Sequence, residues 1–89
     1  MAKIVFTPNI LRHVDCPETE AAGGSVREVL DNLFAANPQA RSYVLDDQAA
    51  LRRHMTIFVN GKAIRDRTRL SDPVPAGGTV YIFQALSGG

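Results

Sequence analysis

The chain has 89 residues, of which 45% are hydrophobic, and its formal net charge is +1. This length predicts one small domain, and the hydrophobic content excludes a disordered tail. The near-neutral charge argues against a nucleic-acid-binding protein.

Cysteine content and the amino-terminal residues bear on the compartment. Cys16 is the only cysteine, so an internal disulfide or a paired-cysteine metal site is excluded, and a reducing cytoplasm is the expected location. The apolar run from Ile4 reaches Pro8 too soon for a signal peptide. No apolar stretch is long enough to span a membrane. We therefore expect neither nucleic acid nor a membrane as a partner.

The first elements in chain order are two extended segments. Residues 3–7 are rich in β-branched and aromatic side chains and end at Pro8, which predicts a strand followed by a turn. Residues 13–21 alternate loosely and include Pro17, which cannot donate to a sheet ladder. This second strand is predicted at an edge or bulge, paired with the first.

A helix is the clearest local prediction. Ser25 and Glu28 have the spacing of a capping box, and Asn37 before Pro38 favours termination, because the residue before proline is pushed out of helical geometry. The apolar residues fall at helical spacing on one face. They are Val26, Val29, Leu30, Leu33 and Phe34.

The second half of the chain predicts further strands. Residues 38–54 have a weak pattern and are interpreted as an irregular crossing segment, in which residues 43–45 can form one helical turn. Residues 55–59 alternate, and Asn60-Gly61 is typical of a type I′ hairpin, because both positions need a positive φ. Residues 62–65 would then return as a strand.

The last predicted strand, residues 79–83, leads directly into the tail of residues 85–89. The element order predicts an α+β domain over residues 1–84, with a mixed sheet of four to five strands and one main helix across one face. Strand alternation places four aliphatic residues toward the helix: Ile57, Val59, Val80 and Ile82. It places three aromatic residues on the opposite face: Phe58, Tyr81 and Phe83.

Those three aromatic side chains predict an apolar patch on the face without a helix. We favour a protein docking surface, and a locally covered second core is the alternative. The tail has two interpretations as well. Gly88-Gly89 is either a frayed end or a thin segment that delivers a carboxylate into the narrow site of a partner.

Other candidate sites are weaker. His13, His54 and Cys16 lack metal-ligand spacing, so we predict no metal site, and no nucleophile with a base and an orienting group is apparent. Arg65, Arg67 and Arg69 alternate, which favours a solvated strand face over a surface that steers an acidic partner. We therefore expect no catalytic residues in this chain.

The pattern as a whole resembles the β-grasp sulfur carriers related to ubiquitin, the MoaD/ThiS family. The residues that carry the resemblance are Thr7-Pro8-Asn9-Ile10-Leu11-Arg12, Ser25-Val26, Ile57-Phe58-Val59-Asn60-Gly61, residues 72–78, and residues 80–83 leading to Gly88-Gly89. The segment 38–54 is more similar to the cysteine-synthesis and molybdopterin branches than to the thiamine carriers.

The resemblance implies a specific chemistry at Gly89. An activating enzyme of the MoeB/ThiF type would adenylate the Gly89 carboxylate with ATP, and a sulfurtransferase or persulfide donor would convert it to a thiocarboxylate. Leu86, Ser87, Gly88 and Gly89 would thread into the partner, and a synthase would accept the sulfur. The chain would be a carrier without a bound cofactor. The alternatives are a ubiquitin-like conjugation or interaction module, or the non-catalytic small subunit of molybdopterin synthase.

Overall fold

The computed structural model describes residues 1–6 and 19–84. This part of the chain forms five strands and two helices: β1 (Ala2–Phe6), β2 (Thr19–Ala21), α1 (Val26–Ala36), α2 (Pro38–Val44), β3 (Met55–Val59), β4 (Lys62–Ala63) and β5 (Thr79–Gln84). The strands form one mixed sheet in the order β2-β1-β5-β3-β4. The predicted α+β, β-grasp architecture is confirmed.

The last described strand occupies the centre of the sheet. β5 pairs in parallel with β1 and antiparallel with β3, while β2 and β4 form the edges. The predicted pairing of the first two strands is confirmed, in antiparallel register with Lys3 opposite Glu20. Residues 7–18, which include Pro17, His13 and Cys16, lie outside the described residues. β5, the strand that precedes the predicted tail, is thus paired with a neighbouring strand on both sides.

Helix α1 begins with the predicted cap. Ser25 has extended backbone angles, and its hydroxyl accepts a hydrogen bond from the Glu28 amide at 3.2 Å. The Glu28 carboxylate accepts from the Gly24 amide at 2.8 Å, one residue before the cap, instead of from the Ser25 amide. The next helix amides donate to a distant loop, Val26 to the carbonyl of Asp72 at 2.9 Å. These bonds satisfy donors that a helix start would otherwise leave unpaired.

The core lies between α1 and one face of the sheet. All five apolar residues predicted for the buried stripe of α1 are buried, which confirms the periodicity. From the sheet they meet Ile4, Ile57, Val80 and Ile82, each with 0% of its surface exposed. Val59 is half-buried against the same cluster.

The interpretation of residues 38–54 as irregular was wrong for their first part. Pro38–Val44 forms a helix of 7 residues, with Pro38 in its first turn, where a missing amide hydrogen costs nothing. Ala40 and Val44, one turn apart, are both fully buried. Two buried positions are too few to show a helical period in the sequence, but they are sufficient to bind this helix to the core.

The β3–β4 hairpin has the predicted turn. Asn60 has φ 49° and Gly61 has φ 87°, so both lie in the left-handed region that a type I′ turn requires. The Asn60 side-chain oxygen also accepts from the Thr79 amide at 2.9 Å, which ties the turn to the start of β5. β4 itself ends at Ala63, so the predicted strand over residues 62–65 was too long.

Candidate functional site

The face of the sheet opposite the helices, called the outer face below, carries the candidate site. Strand register places Tyr81 opposite Phe58 on β3 and opposite Val5 on β1, while Ala63 on β4 stands opposite Phe58. Alternation turns all four side chains to the same side of the sheet. An apolar row therefore crosses four strands, and Phe83 extends it toward the end of β5.

Within this row, the aromatic patch consists of Phe58, Tyr81 and Phe83. The ring centroids of Phe58 and Phe83 are 5.2 Å apart at 52°, and those of Tyr81 and Phe83 are 5.8 Å apart at 48°. Both pairs have the tilted geometry that aromatic rings prefer. Tyr81 is 40% exposed and Phe83 38% exposed, whereas Phe58 is half-buried. The predicted face assignment is confirmed.

The sequence interpretation missed Val5 and Ala63, the outer members of the row. Val5 is half-buried and Ala63 exposed. Neither is aromatic or large, and only the pairing register shows that both stand beside the patch. The signal available in the sequence was alternation along residues 2–6, where Val5 falls between buried neighbours.

The start of the tail is anchored at the end of β5. Gln84 pairs with Met55 on β3, and its side-chain oxygen accepts a hydrogen bond from the Tyr43 hydroxyl at 2.8 Å. Helix α2 therefore contacts the last described residue of β5. The predicted threading residues Leu86, Ser87, Gly88 and Gly89 lie outside the described residues. The boundary between domain and tail and the roles of the tail residues stay predictions.

The arginine run is not the solvated strand face that the sequence predicted, because residues 65–69 lie in a loop after β4. Arg67 is half-buried, and its guanidinium donates to the carbonyls of Arg52 at 2.9 Å and Met55 at 2.6 Å. Arg67 thus joins this loop to the start of β3. Only the exposed members of the run, Arg65 and Arg69, keep the predicted contact with solvent.

The same loop contains a carboxylate with a shifted pKa. The carboxylate of Asp66 accepts hydrogen bonds from the Ser71 hydroxyl, which has the largest effect, and from the amides of Arg69 and Thr68. These bonds lower the pKa of Asp66 to about 2. Leu70, in the left-handed region at φ 58°, has its side chain fully buried. Burial of a leucine, worth about 1.5–3 kcal/mol, offsets the cost of that backbone conformation.

His54 is exposed, and no group of His, Cys, Asp and Glu in residues 1–6 and 19–84 is placed to hold a metal ion. Neither described helix has the length and hydrophobicity needed to cross a membrane.

Sequence comparison decides the family. A model of the ThiS family matches residues 8–89. The chain belongs to the ThiS family. No curated protein sequence matches it significantly.

Solved structures agree with this membership. The ThiS-family chain is similar to a chain of the Amycolatopsis orientalis BexX/CysO complex, with 25% identity, a TM-score of 0.82 and full coverage of both chains (100% of each). It is also similar in fold to SAMP1 from Haloferax volcanii, with 24% identity, a TM-score of 0.78 and coverage of 99% and 98%. Mycobacterium tuberculosis CysO gives 23% identity, a TM-score of 0.79 and coverage of 97% and 100%.

Family and fold together define the class of function. This ThiS-family chain is a small sulfur carrier protein with a β-grasp fold, and it is not itself an enzyme. The Amycolatopsis orientalis CysO chain was solved in a complex with BexX.

Proposed function

We propose that the chain carries sulfur on the carboxylate of Gly89. The carboxylate attacks ATP, pyrophosphate leaves, and a mixed anhydride with AMP forms. A carboxylate is a poor electrophile, and AMP is the leaving group that makes its carbon reactive. A sulfide or persulfide then attacks that carbon and AMP departs. With a persulfide donor, a thiol must afterwards reduce the sulfur–sulfur bond to leave the thiocarboxylate.

One observation carries the proposal: the family match extends to Gly89, on a domain whose central strand leads straight into the tail. Residues 85–89 follow a strand that β1 and β3 hold on both sides. A rigid domain with an adjoining Gly-Gly segment suits delivery of a backbone carboxylate into a narrow channel, since glycine has no Cβ to obstruct it. The adenylating enzyme, of the MoeB/ThiF type, binds the ATP and supplies all the catalytic groups.

The aromatic patch is proposed as the docking surface for that enzyme. Exposed aromatic side chains are enriched at the centres of protein interfaces, because they bury a large apolar area with little loss of conformational freedom. The patch lies on β3 and β5, and β5 ends where the tail begins. Docking there would bring the domain and the tail into one complex. The synthase that accepts the sulfur, in cysteine, molybdopterin or related biosynthesis, would use the same side of the molecule in turn.

Intact mass measurement tests this function. The carrier is co-expressed with an adenylating enzyme encoded in its own genome and a sulfur source, and we expect the mass to rise by the difference between sulfur and oxygen. A variant without Gly89 should keep the same melting temperature and remain unmodified. A mass that stays unchanged with an enzyme active on ATP would contradict the proposal, as would modification of the shortened variant. A mass increase equal to a linked second protein would identify a modifier instead.

A further inference from the structure

We infer that an edge of the carrier meets an acidic rim on the adenylating enzyme, next to the channel that takes the tail. This basic edge consists of Arg53, Lys62 and Arg65, beside the aromatic patch. The inference rests on the proposed function, because it assigns the chemistry of the partner surface that surrounds the same docking site.

Charge is distributed unevenly along the chain. Residues 51–72 contain six Lys and Arg residues and two Asp residues. The remaining described residues contain three Lys and Arg residues and five Asp and Glu residues. The excess positive charge is therefore concentrated in the segment that contains β3, β4 and the loop after them, although the net charge of the whole chain is only +1.

The two carboxylates within this segment are committed to backbone amides. Asp66 accepts from Thr68 and Arg69 and from the Ser71 hydroxyl. Asp72 accepts from the amides of Arg65 and Asp66, at distances of 2.8–3.1 Å. Both side chains hold the loop together, so their hydrogen-bonding capacity is largely used inside the domain.

Five of the six cations of the segment divide into two groups, and the sixth, Arg69, is exposed in the loop whose carbonyls accept from Arg27 of α1. Arg52 and Arg67 donate to main-chain carbonyls and act as structural links, Arg52 to Ser42 at 2.8 Å. The side chains of Arg53, Lys62 and Arg65 are exposed and make no hydrogen bond or ion pair with any described residue. Their charge is not needed to hold the described fold together, which leaves it available to a partner.

The position of the basic edge links it to the docking surface. Lys62 lies on the edge strand β4, one residue before Ala63, which stands opposite Phe58 of the aromatic patch. Lys62 itself pairs with Val59, so its side chain leaves this edge on the helix side of the sheet. At the other end, Arg53 precedes β3 by two residues, and the first residue of β3, Met55, pairs with Gln84. The basic edge thus runs from the hairpin to the point where the tail leaves. An enzyme that covers the patch and receives the tail must border this edge.

Carboxylates on that border would steer the carrier into the correct orientation. Charges at the rim of an interface act mainly on the association rate, and they act more strongly at low ionic strength. The Debye length is about 30 Å at an ionic strength of about 0.01 M and about 8 Å at about 0.15 M. A rim contact is therefore recognised by a rate effect that added salt removes.

Stopped-flow association of the carrier with the adenylating enzyme tests the inference. The enzyme is the one that modifies the wild-type carrier in the mass experiment. We expect Arg65→Glu and Lys62→Glu each to lower the association rate about fivefold or more at low ionic strength, and to lose most of that effect at physiological salt. Arg65→Lys, which keeps the charge, should associate at the wild-type rate.

Arg41→Glu is the matched control. Arg41 is an exposed cation of α2 without an ion pair to the described residues, and its reversal changes the net charge equally. Equal rate losses for Arg41→Glu and Arg65→Glu would show a general charge effect and overturn the inference. Normal modification with unchanged association rates for the edge variants would overturn the inference alone, whereas a wild-type carrier that stays unmodified in the mass experiment would contradict the proposed function itself. Salt-dependent dimers of the carrier in sedimentation would assign the edge to a second copy and also overturn it.

Discussion

Ile82→Ala and Phe83→Ala shorten neighbouring side chains of β5 that lie on opposite faces of the sheet. Ile82 has 0% exposure, and its register partners are Phe6 on β1 and Ile57 on β3. Its truncation leaves a cavity in the core, so the free energy of unfolding should fall by about 2–5 kcal/mol. Phe83 is 38% exposed, and its truncation removes two tilted ring contacts, which together are worth about 1–3 kcal/mol.

The affinity for the adenylating enzyme should fall more for Phe83→Ala than for Ile82→Ala, the opposite of the order expected for stability. If Phe83 is an anchor of the interface, its truncation costs at least about 2 kcal/mol of binding free energy, which corresponds to an affinity for the adenylating enzyme about 30-fold weaker. Ile82→Ala, measured on the folded fraction, should bind within about threefold of wild type, because its side chain does not reach the outer face. Urea unfolding followed by circular dichroism gives the stabilities, and titration calorimetry gives the affinities.

The two variants together separate the roles of the two faces of the sheet, because Ile82 and Phe83 are neighbours on β5 and their side chains lie on opposite faces. A loss of stability for Phe83→Ala as large as that of Ile82→Ala would mean that the outer face is covered in solution. Wild-type affinity for Phe83→Ala would place the docking surface elsewhere. Phe83→Tyr keeps the ring and should retain both properties.

Two further predictions concern the loop after β4 and the start of the tail. The pKa of Asp66 is lowered from 3.8 to about 2, so its stabilising effect is complete above pH 4 or so and is lost as the pH falls toward about 2. The urea midpoint of Asp66→Asn should therefore vary less across this pH window than that of wild type. If the two midpoints changed equally with pH, the stabilising role assigned to the Asp66 carboxylate would be contradicted. Tyr43→Phe removes the hydrogen bond to Gln84 and should lower the free energy of unfolding by about 1 kcal/mol, with faster amide exchange at the end of β5. Unchanged exchange there would show that the bond does not hold the start of the tail.

The parts of the fold that the sequence predicted are those with a local cause. Helix α1 combines a cap at Ser25, a regular apolar period and a stop at Asn37, so each local preference agrees with the final structure. The Asn60-Gly61 turn is also determined locally, by its two positive φ angles. Helix α2 could not be predicted in the same way, since its only periodic signal is the pair Ala40 and Val44, and its stability comes from the core that they enter.

The candidate site shows the same division. The aromatic patch followed from alternation along two strands, because a buried face fixes the register of a sheet. The bond from Tyr43 to Gln84 joins residues 41 positions apart and leaves no sign in the local sequence. Arg65 and Arg67 are two positions apart and the same residue type, yet one is exposed and the other donates to three carbonyls. Only tertiary structure separates a structural arginine from one that is available to a partner.

The central place of β5 also determines when a newly made chain can fold. β1 is synthesised well before its parallel partner β5, with which it pairs Lys3 beside Thr79. Until β5 leaves the ribosome, no strand joins β1 to β3, and pairing between residues so far apart in the chain must come late. A chain truncated before residue 79 cannot complete the sheet and is exposed to proteolysis. Only a chain that has been synthesised through β5 can therefore form the native domain.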